Sequence, residues 1–444
     1  MPSAGSDPRA LLVAFHFPPA QGSSGLQRTL SLARDLPSCG WQPLVLSAHR
    51  RAYPRTSDQQ LADIPDDVPV SRAFALDTAR HFSLRGIHFR SLAVPDRWWP
   101  WWFGGVVSGL RLIRRQRPAV IWSTAPIPTA HLIAHTLARI SGLPWVADIR
   151  DLMTEPDWPK NPLAWRLSRW IETRAVTGSR RAVVVSPGQR EAYLNRFPDL
   201  DPERIAVVPN GYDEAAFRAA EADLGPASAG KGRLRLVHSG LLYPRDRNPR
   251  PFLEALAALM AAGTIAREEI EVVLRASGSE KRFAQWIQEL GLEGVVALEP
   301  ALGYRDALAE MMAADGLLLF QGRRCHTAIP AKLYEYMRAG TPVLALADPD
   351  SATGRVLTRA GYPHVVPLES RSAIEPALTD FLAGLRSGTA FRPGPETVRG
   401  YSREAAARAL ARIFHEATGL GQPAIPAPSP SSGRRASARS RQPR

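Results

Sequence analysis

LLVAFHFPPAQGSSGLQRTLSLARDL, residues 11–36, decides the fold. An apolar run over 11–17 stops at Pro18-Pro19, the short loop QGSSG occupies 21–25, and LQRTLSLARDL (26–36) then carries apolar residues at helical spacing. Strand, glycine loop and helix in that order open a parallel α/β unit. QPLVLSA (42–48) reads as a second strand, and AVIWSTA (119–125), PWVADIR (144–150), RAVVVSP (181–187) and IAVVPNG (205–211) continue the alternation. Their unbroken apolar character suits strands buried on both faces. After the Gly/Ala-rich linker EADLGPASAGKG (221–232) the pattern restarts with RLRLVHSG (233–240), a helix near 249–262, EVVLRAS (271–277), VVALEP (295–300), GLLLF (316–320) and PVLAL (342–346). Two doubly wound, Rossmann-like α/β domains are therefore expected, over 1–220 and 221–396, facing each other across a cleft. Residues 397–422 hold a helix (401–417) with Ser402 as its N-cap, expected to pack back on the first domain, and 423–444 lacks a core-forming pattern and reads as a disordered basic tail.

The composition agrees. A chain of 444 residues exceeds one ordinary core, and 45% hydrophobic with 22% charged residues is that of a soluble globular protein. No apolar stretch reaches the roughly 18 residues of a membrane span. The opening MPSAGSDPRALLVAF has no basic segment ahead of a long apolar one, so no secretory leader is expected. Cys39 and Cys325 make neither a disulfide framework nor a metal motif, which points to a reducing cytoplasm. The net charge of +14 divides into +8 for residues 1–220, +1 for 221–422 and +5 for the tail. Only four of the 56 basic residues are lysines, which makes Lys332 less incidental than its neighbours.

Lys332 lies in AIPAKLYEYMRAGTPVLAL (328–346). Pro330 suits the start of a helix and Gly340 its end. Leu333, Tyr336 and Met337 share a face that packs on a sheet, while Glu335 points away from it, with Lys332 on a neighbouring flank. The spacing alone fits a solvated face with an i, i+3 ion pair. Earlier in the chain, Asp148, Arg150 and Asp151 end a buried strand, where charges must be paired: a structural Asp–Arg pair is one reading and a functional site the other. Two DxD tripeptides, Asp199-Leu200-Asp201 and Asp348-Pro349-Asp350, sit beside prolines and read as turns, so no metal is implied. Four tryptophans, Trp98, Trp99, Trp101 and Trp102, precede a helix that ends in Arg111, Arg114, Arg115 and Arg117. This suits an anionic membrane surface, or an aromatic cluster in the core. QGSSG is not GxGxxG, so a dinucleotide fingerprint is absent, and no nucleic-acid module is present.

PAKLYEYMRAGTPVLAL (330–346) resembles the C-terminal signature of family-4 glycosyltransferases of the GT-B fold. Four more stretches resemble that family in the same order: HFPPAQGSSGLQR (16–28), PWVADIRDL (144–152), VVPNGYD (207–213) and HSGLLYPRDRNPRPFLEAL (238–256). The resemblance covers roughly residues 11–417. It implies sugar transfer from a nucleoside-diphosphate sugar to an acceptor hydroxyl, with retention and without a metal or cofactor. The acceptor would be a carbohydrate or a lipid-linked one. Glu335 would hold the ribose; Arg247 and Lys332 would meet the diphosphate, with Gly240 beside them; Gly22 and Gly25 would let backbone approach the diphosphate or the acceptor. Arg150 stands where many relatives carry a histidine, so Asp151 is the first candidate for orienting the acceptor hydroxyl. The family's second glutamate, eight residues before Glu335, is here Thr327, which leaves the transferred sugar open. A nucleotide-sugar epimerase of similar fold, and a non-catalytic scaffold, are the alternatives.

Overall fold

The computed structural model describes residues 7–21, 24–82, 93–224 and 232–421. Gly22, most of the 221–232 linker and the 423–444 tail lie outside the described residues. The first sheet has seven parallel strands: β1 (Arg9–Val13), β2 (Gln42–Ala48), β3 (Val70–Ala73), β4 (Val120–Thr124), β5 (Trp145–Ile149), β6 (Arg181–Val184) and β7 (Ile205–Val207). Their spatial order is β3-β2-β1-β4-β5-β6-β7. The second sheet has six: β8 (Leu234–Ser239), β9 (Ile270–Arg275), β10 (Val296–Glu299), β11 (Gly316–Gln321), β12 (Val343–Ala347) and β13 (Val365–Val366), in the order β10-β9-β8-β11-β12-β13. Each order reverses once, between β1 and β4 and between β8 and β11, and such reversals open a crevice at the carboxyl ends of the strands. The central strands are apolar throughout because helices cover both faces: Leu11 in β1 stands opposite Leu44 on one side and Ile121 on the other, and all are buried.

The two carboxyl edges face each other. Ser186, just after β6, donates its hydroxyl to the carbonyl of Thr327, in the loop after β11, at 2.5 Å. Asp157, after β5, accepts from Arg245, after β8, at 2.7 Å and from Arg324 at 3.4 Å. This is the GT-B arrangement. The last helix, Arg403–Thr418, is capped by Ser402, whose hydroxyl accepts from the Ala405 N–H. It leaves the second domain and packs against the helix Ser24–Asp35 of the first, where Leu410, Ala411 and Phe414 join the first core. Trp41 donates its indole N–H to His415 at 2.9 Å there.

Three expectations are corrected. Trp101 is 0% exposed, and the indoles of Trp98 and Trp102 donate to the Ala52 carbonyl and the Thr136 hydroxyl. These rings fill the fold and do not form an outward belt. Asp148 is buried and paired, but with Arg28 and not Arg150: Arg28 grips it through Nε and Nη2, both at 2.9 Å. Gly25 falls inside the first turn of the helix Ser24–Asp35 and not in a loop.

Candidate active site

The helix Ala331–Ala339 begins after Pro330 and ends at Gly340, whose φ of 68° is the left-handed conformation that suits a glycine C-cap. Leu333, Tyr334, Tyr336 and Met337 bury one side, and the Tyr336 hydroxyl accepts from the Ser239 N–H at 2.9 Å, tying the helix to the end of β8. Glu335 is left facing the cleft. It makes no ion pair with Lys332; its Oε1 accepts from the Tyr304 hydroxyl at 2.9 Å. Burial pushes its carboxyl above the usual range, and the Arg403 guanidinium opposes that shift. Arg403 in turn donates to the Tyr304 oxygen at 3.4 Å, to Asp213 at 3.2 Å and to Gln27 at 3.2 Å. A cavity of about 340 Å³ opens here, walled by Glu335 and Tyr304 from one domain and by Arg28, Arg150 and Asn210 from the other, with Arg403 between.

Lys332 points to the end of β8. Its amine meets His238 Nε2 at 3.0 Å. His238 Nδ1 lies 2.8 Å from the Leu318 carbonyl, which can only accept, so Nδ1 carries the proton and Nε2 accepts from the amine. Burial, reinforced by Arg247, holds the Lys332 pKa down at about 7. Gly240 makes room: a Cβ there would lie 3.1 Å from the Lys332 amine, and its φ of 103° is one that other residues rarely adopt. Arg247 donates from Nε to the buried Gln321 at 3.1 Å and stacks over Tyr243 at 5.7 Å. Three of the expected donor-side residues, Lys332, Arg247 and Gly240, thus meet at the carboxyl edge of the second sheet. Two cations beside a helix N-terminus can hold a diphosphate, and a carboxylate on the next turn can hold a diol.

The first domain supplies a different chemistry. Asp148 is 0% exposed and also accepts from the Thr124 hydroxyl at 2.9 Å, while Arg28 reaches the Val208 and Pro209 carbonyls. This pair fixes the loops and leaves little for a ligand. Arg150 is 6% exposed and lines the cavity, with its pKa lowered by burial and by Arg28. Asp151 is exposed beside it and does not line the cavity. His16 sits near Arg150; burial and that charge hold its pKa down to about 4, so it is neutral at physiological pH. Thr327, where the family's second glutamate would stand, touches the first domain: a Cβ on Gly188 would lie 3.1 Å from its Cα. Asp201 and Asp348 serve turns, accepting from the N–H groups of Glu203 and Asp350. Sequence reading missed Arg28, Tyr304, His238 and Arg403 as parts of this site. Only His238 sat in a stretch already singled out for the donor, and Arg28 closed the quoted glycine-loop stretch.

Residues 25–211 match the glycosyl transferase 4-like domain. That stretch is a glycosyl transferase 4-like domain. Over 92 residues, a fifth of its length, the whole chain is 33% identical to alpha-maltose-1-phosphate synthase of Mycolicibacterium smegmatis and spans 24% of that protein. Over 291 residues, 63% of the chain, it is 26% identical to D-inositol 3-phosphate glycosyltransferase of a Nocardioides species and spans 55% of it. The chain therefore spans between a quarter and just over half of the length of these curated relatives. The structure of sucrose-phosphate synthase from Thermosynechococcus elongatus superposes with a TM-score of 0.65 at 16% identity, covering 93% of this chain and all of that one. The glycosyl transferase 4-like domain and the second sheet together form a GT-B fold.

Proposed function

We propose that this protein is a glycosyltransferase that moves a sugar from a nucleoside-diphosphate sugar to an acceptor hydroxyl. The observation that carries this reading is the placing of Glu335, Lys332 and Arg247 around one helix start at the cleft. In the reaction the bond from the anomeric carbon to the diphosphate oxygen breaks and that oxygen keeps the electron pair. The acceptor oxygen forms the new bond and releases its proton. Lys332 and Arg247 stabilise the charge left on the diphosphate, and Glu335 fixes the ribose. Arg150 and Asp151 are proposed on the acceptor side, and Gly22 and Gly25 as the backbone that approaches the ligand. Closure of the cleft excludes water that would otherwise hydrolyse the donor. The transfer is proposed to be retaining and independent of metal.

We place the protein in the cytoplasm, in the synthesis of a cell-surface polysaccharide or glycolipid, with a carbohydrate or lipid-linked acceptor. Among the described residues no helix is long and apolar enough to cross a membrane. The test is a donor screen with pure protein, read by released nucleoside diphosphate. Release with one donor, raised by an acceptor, is expected. Conversion of the donor to an epimer without acceptor would instead establish the epimerase, and binding without release the scaffold.

A further inference from the structure

Three neighbouring helices cover the face of the first sheet opposite the Arg403–Thr418 helix: Trp101–Gln116, Pro128–Ser141 and Pro162–Gly178. The first approaches the second closely because glycines line the seam; a Cβ on Gly105 would lie 2.5 Å from Ile133, and one on Gly109 would lie 2.5 Å from Leu137. The seam buries one side of the first helix and turns the stripe Phe103, Val107, Arg111 and Arg114 outward, with Phe103 55% exposed. On the third helix Leu163, Arg166, Leu167, Trp170 and Arg174 form a matching outward stripe, with Trp170 44% exposed. Between them the middle helix ends in Arg139 and Ile140, both exposed.

The charge on this face has one sign. The first two helices contain no aspartate or glutamate, and the only carboxylate of the third, Glu172, is 0% exposed and held by Tyr193, Thr154 and Arg196. Among the described residues Arg111, Arg114, Arg139 and Arg166 form no ion pair. Arg174 stacks over Trp170 at 5.5 Å, and His135 packs edge-on to the same ring. Asp201, Glu203 and Glu416 line a depression at one end of this face that Arg139 and Arg174 also line, and Glu416 is paired with Arg181.

We propose that this three-helix face docks the protein on an anionic lipid bilayer. Exposed Phe, Leu, Ile and Trp side chains at intervals, interleaved with arginines, match a bilayer interface, where rings and aliphatic chains enter the headgroup layer and guanidiniums meet phosphates. A second copy does not fit the same face, because three helices whose exposed charges are all arginines bring like charges together when they meet their own copy. Docking here leaves the cleft, at the carboxyl edge of the sheet, open beside the surface. The inference extends the proposed lipid-linked acceptor, but its test reads binding alone, so failure of sugar transfer and failure of docking are told apart.

The experiment is co-sedimentation of the full chain with phosphatidylcholine vesicles, with and without phosphatidylglycerol, at low and high salt. Each arginine near an anionic surface is worth roughly fivefold in partitioning. The Arg111→Gln, Arg114→Gln, Arg139→Gln, Arg174→Gln variant should lose at least tenfold and keep its melting temperature. Replacing the five tail arginines, 434, 435, 439, 441 and 444, with glutamine should leave most of the binding. Brominated lipid should quench fluorescence, and Trp170→Phe should remove the largest share of that quenching. The proposal is overturned if the wild type ignores anionic vesicles at low salt, binds neutral ones as well, or binds unchanged in the four-arginine variant. It is also overturned if that variant changes the oligomeric state, which would mean that a second copy covers the face.

Discussion

Among the described residues the Glu335 carboxylate accepts one side-chain hydrogen bond, from Tyr304, and it lines the cavity. Its replacement by alanine removes the two charge-assisted bonds that a ribose diol would donate, at a cost of about 2–4 kcal/mol, or roughly 30- to 1,000-fold in kcat/KM. Steady-state kinetics on Glu335→Ala with an unchanged melting curve checks this; activity within about twofold of wild type would assign the carboxylate to the fold. Lys332 gives a prediction with a sign. Its amine titrates at about 7 in the folded protein against 10.5 when free. A diphosphate favours the charged amine, so the donor brings a proton with it, and donor affinity should fall as pH rises above about 7. Lys332→Arg stays charged and should flatten that dependence in a titration calorimeter. The same shift works the other way on stability. Between 7 and 10.5 the unfolded chain binds more protons than the folded one, so unliganded protein should gain stability as pH rises through this window. That Lys332, Glu335, Gly240 and Arg247 lie near one another was legible because the first two share one helix and the last two one loop. Arg403 and Tyr304 were not, since their contacts join residues 99 and 31 positions apart, which no spacing reveals.

Whole elements are held by pairs that cross them. Arg28, on the helix after β1, reaches Asp148 at the end of β5 and two carbonyls after β7, joining three strand ends. Removing it strands a carboxylate that is 0% exposed. Arg28→Ala should cost about 3–5 kcal/mol in denaturant unfolding, and adding Asp148→Ala should return part of the loss. Gly240 is the corresponding pivot of the second sheet. Gly240→Ala must adopt a φ of 103° and crowd the Lys332 amine, so it should weaken donor binding more than tenfold by calorimetry as well as lower the melting temperature. Most strands were readable as apolar runs because helices cover both sheet faces. β3 and β13 were not: VSRA is an edge strand with polar alternation, and Val365–Val366 is too short to carry a pattern. Arg150 and Asp148 looked like a pair because residues i and i+2 of a strand share a face, but β5 ends at Ile149, before Arg150, and the counter-charge came from a helix 120 positions away.

At the scale of the whole molecule, the chain crosses from the first domain to the second and returns, and Arg403–Thr418 completes the first core. Phe414 is fully buried there. Phe414→Ala should destabilise the first domain by about 3–5 kcal/mol. The two domains can be followed separately, because ten of the eleven tryptophans precede residue 171 and Trp286 alone lies in the second. Tryptophan emission should therefore shift to lower denaturant in Phe414→Ala, and leave behind a later transition seen by circular dichroism; coincident shifts would show that the domains melt as one. The domain count and the returning helix were visible as a pattern that starts twice and ends in a capped amphipathic segment. Which core the helix enters is a matter of docking, on which its own periodicity is silent. The returning helix also bears on how the protein is made. Synthesis runs from the amino terminus, so the first domain leaves the ribosome with a groove where Phe414 and Leu410 belong, and waits through some two hundred further residues for its last piece. A gene cut at the linker should yield an insoluble first half, restored by co-expressing a peptide that spans residues 397–421.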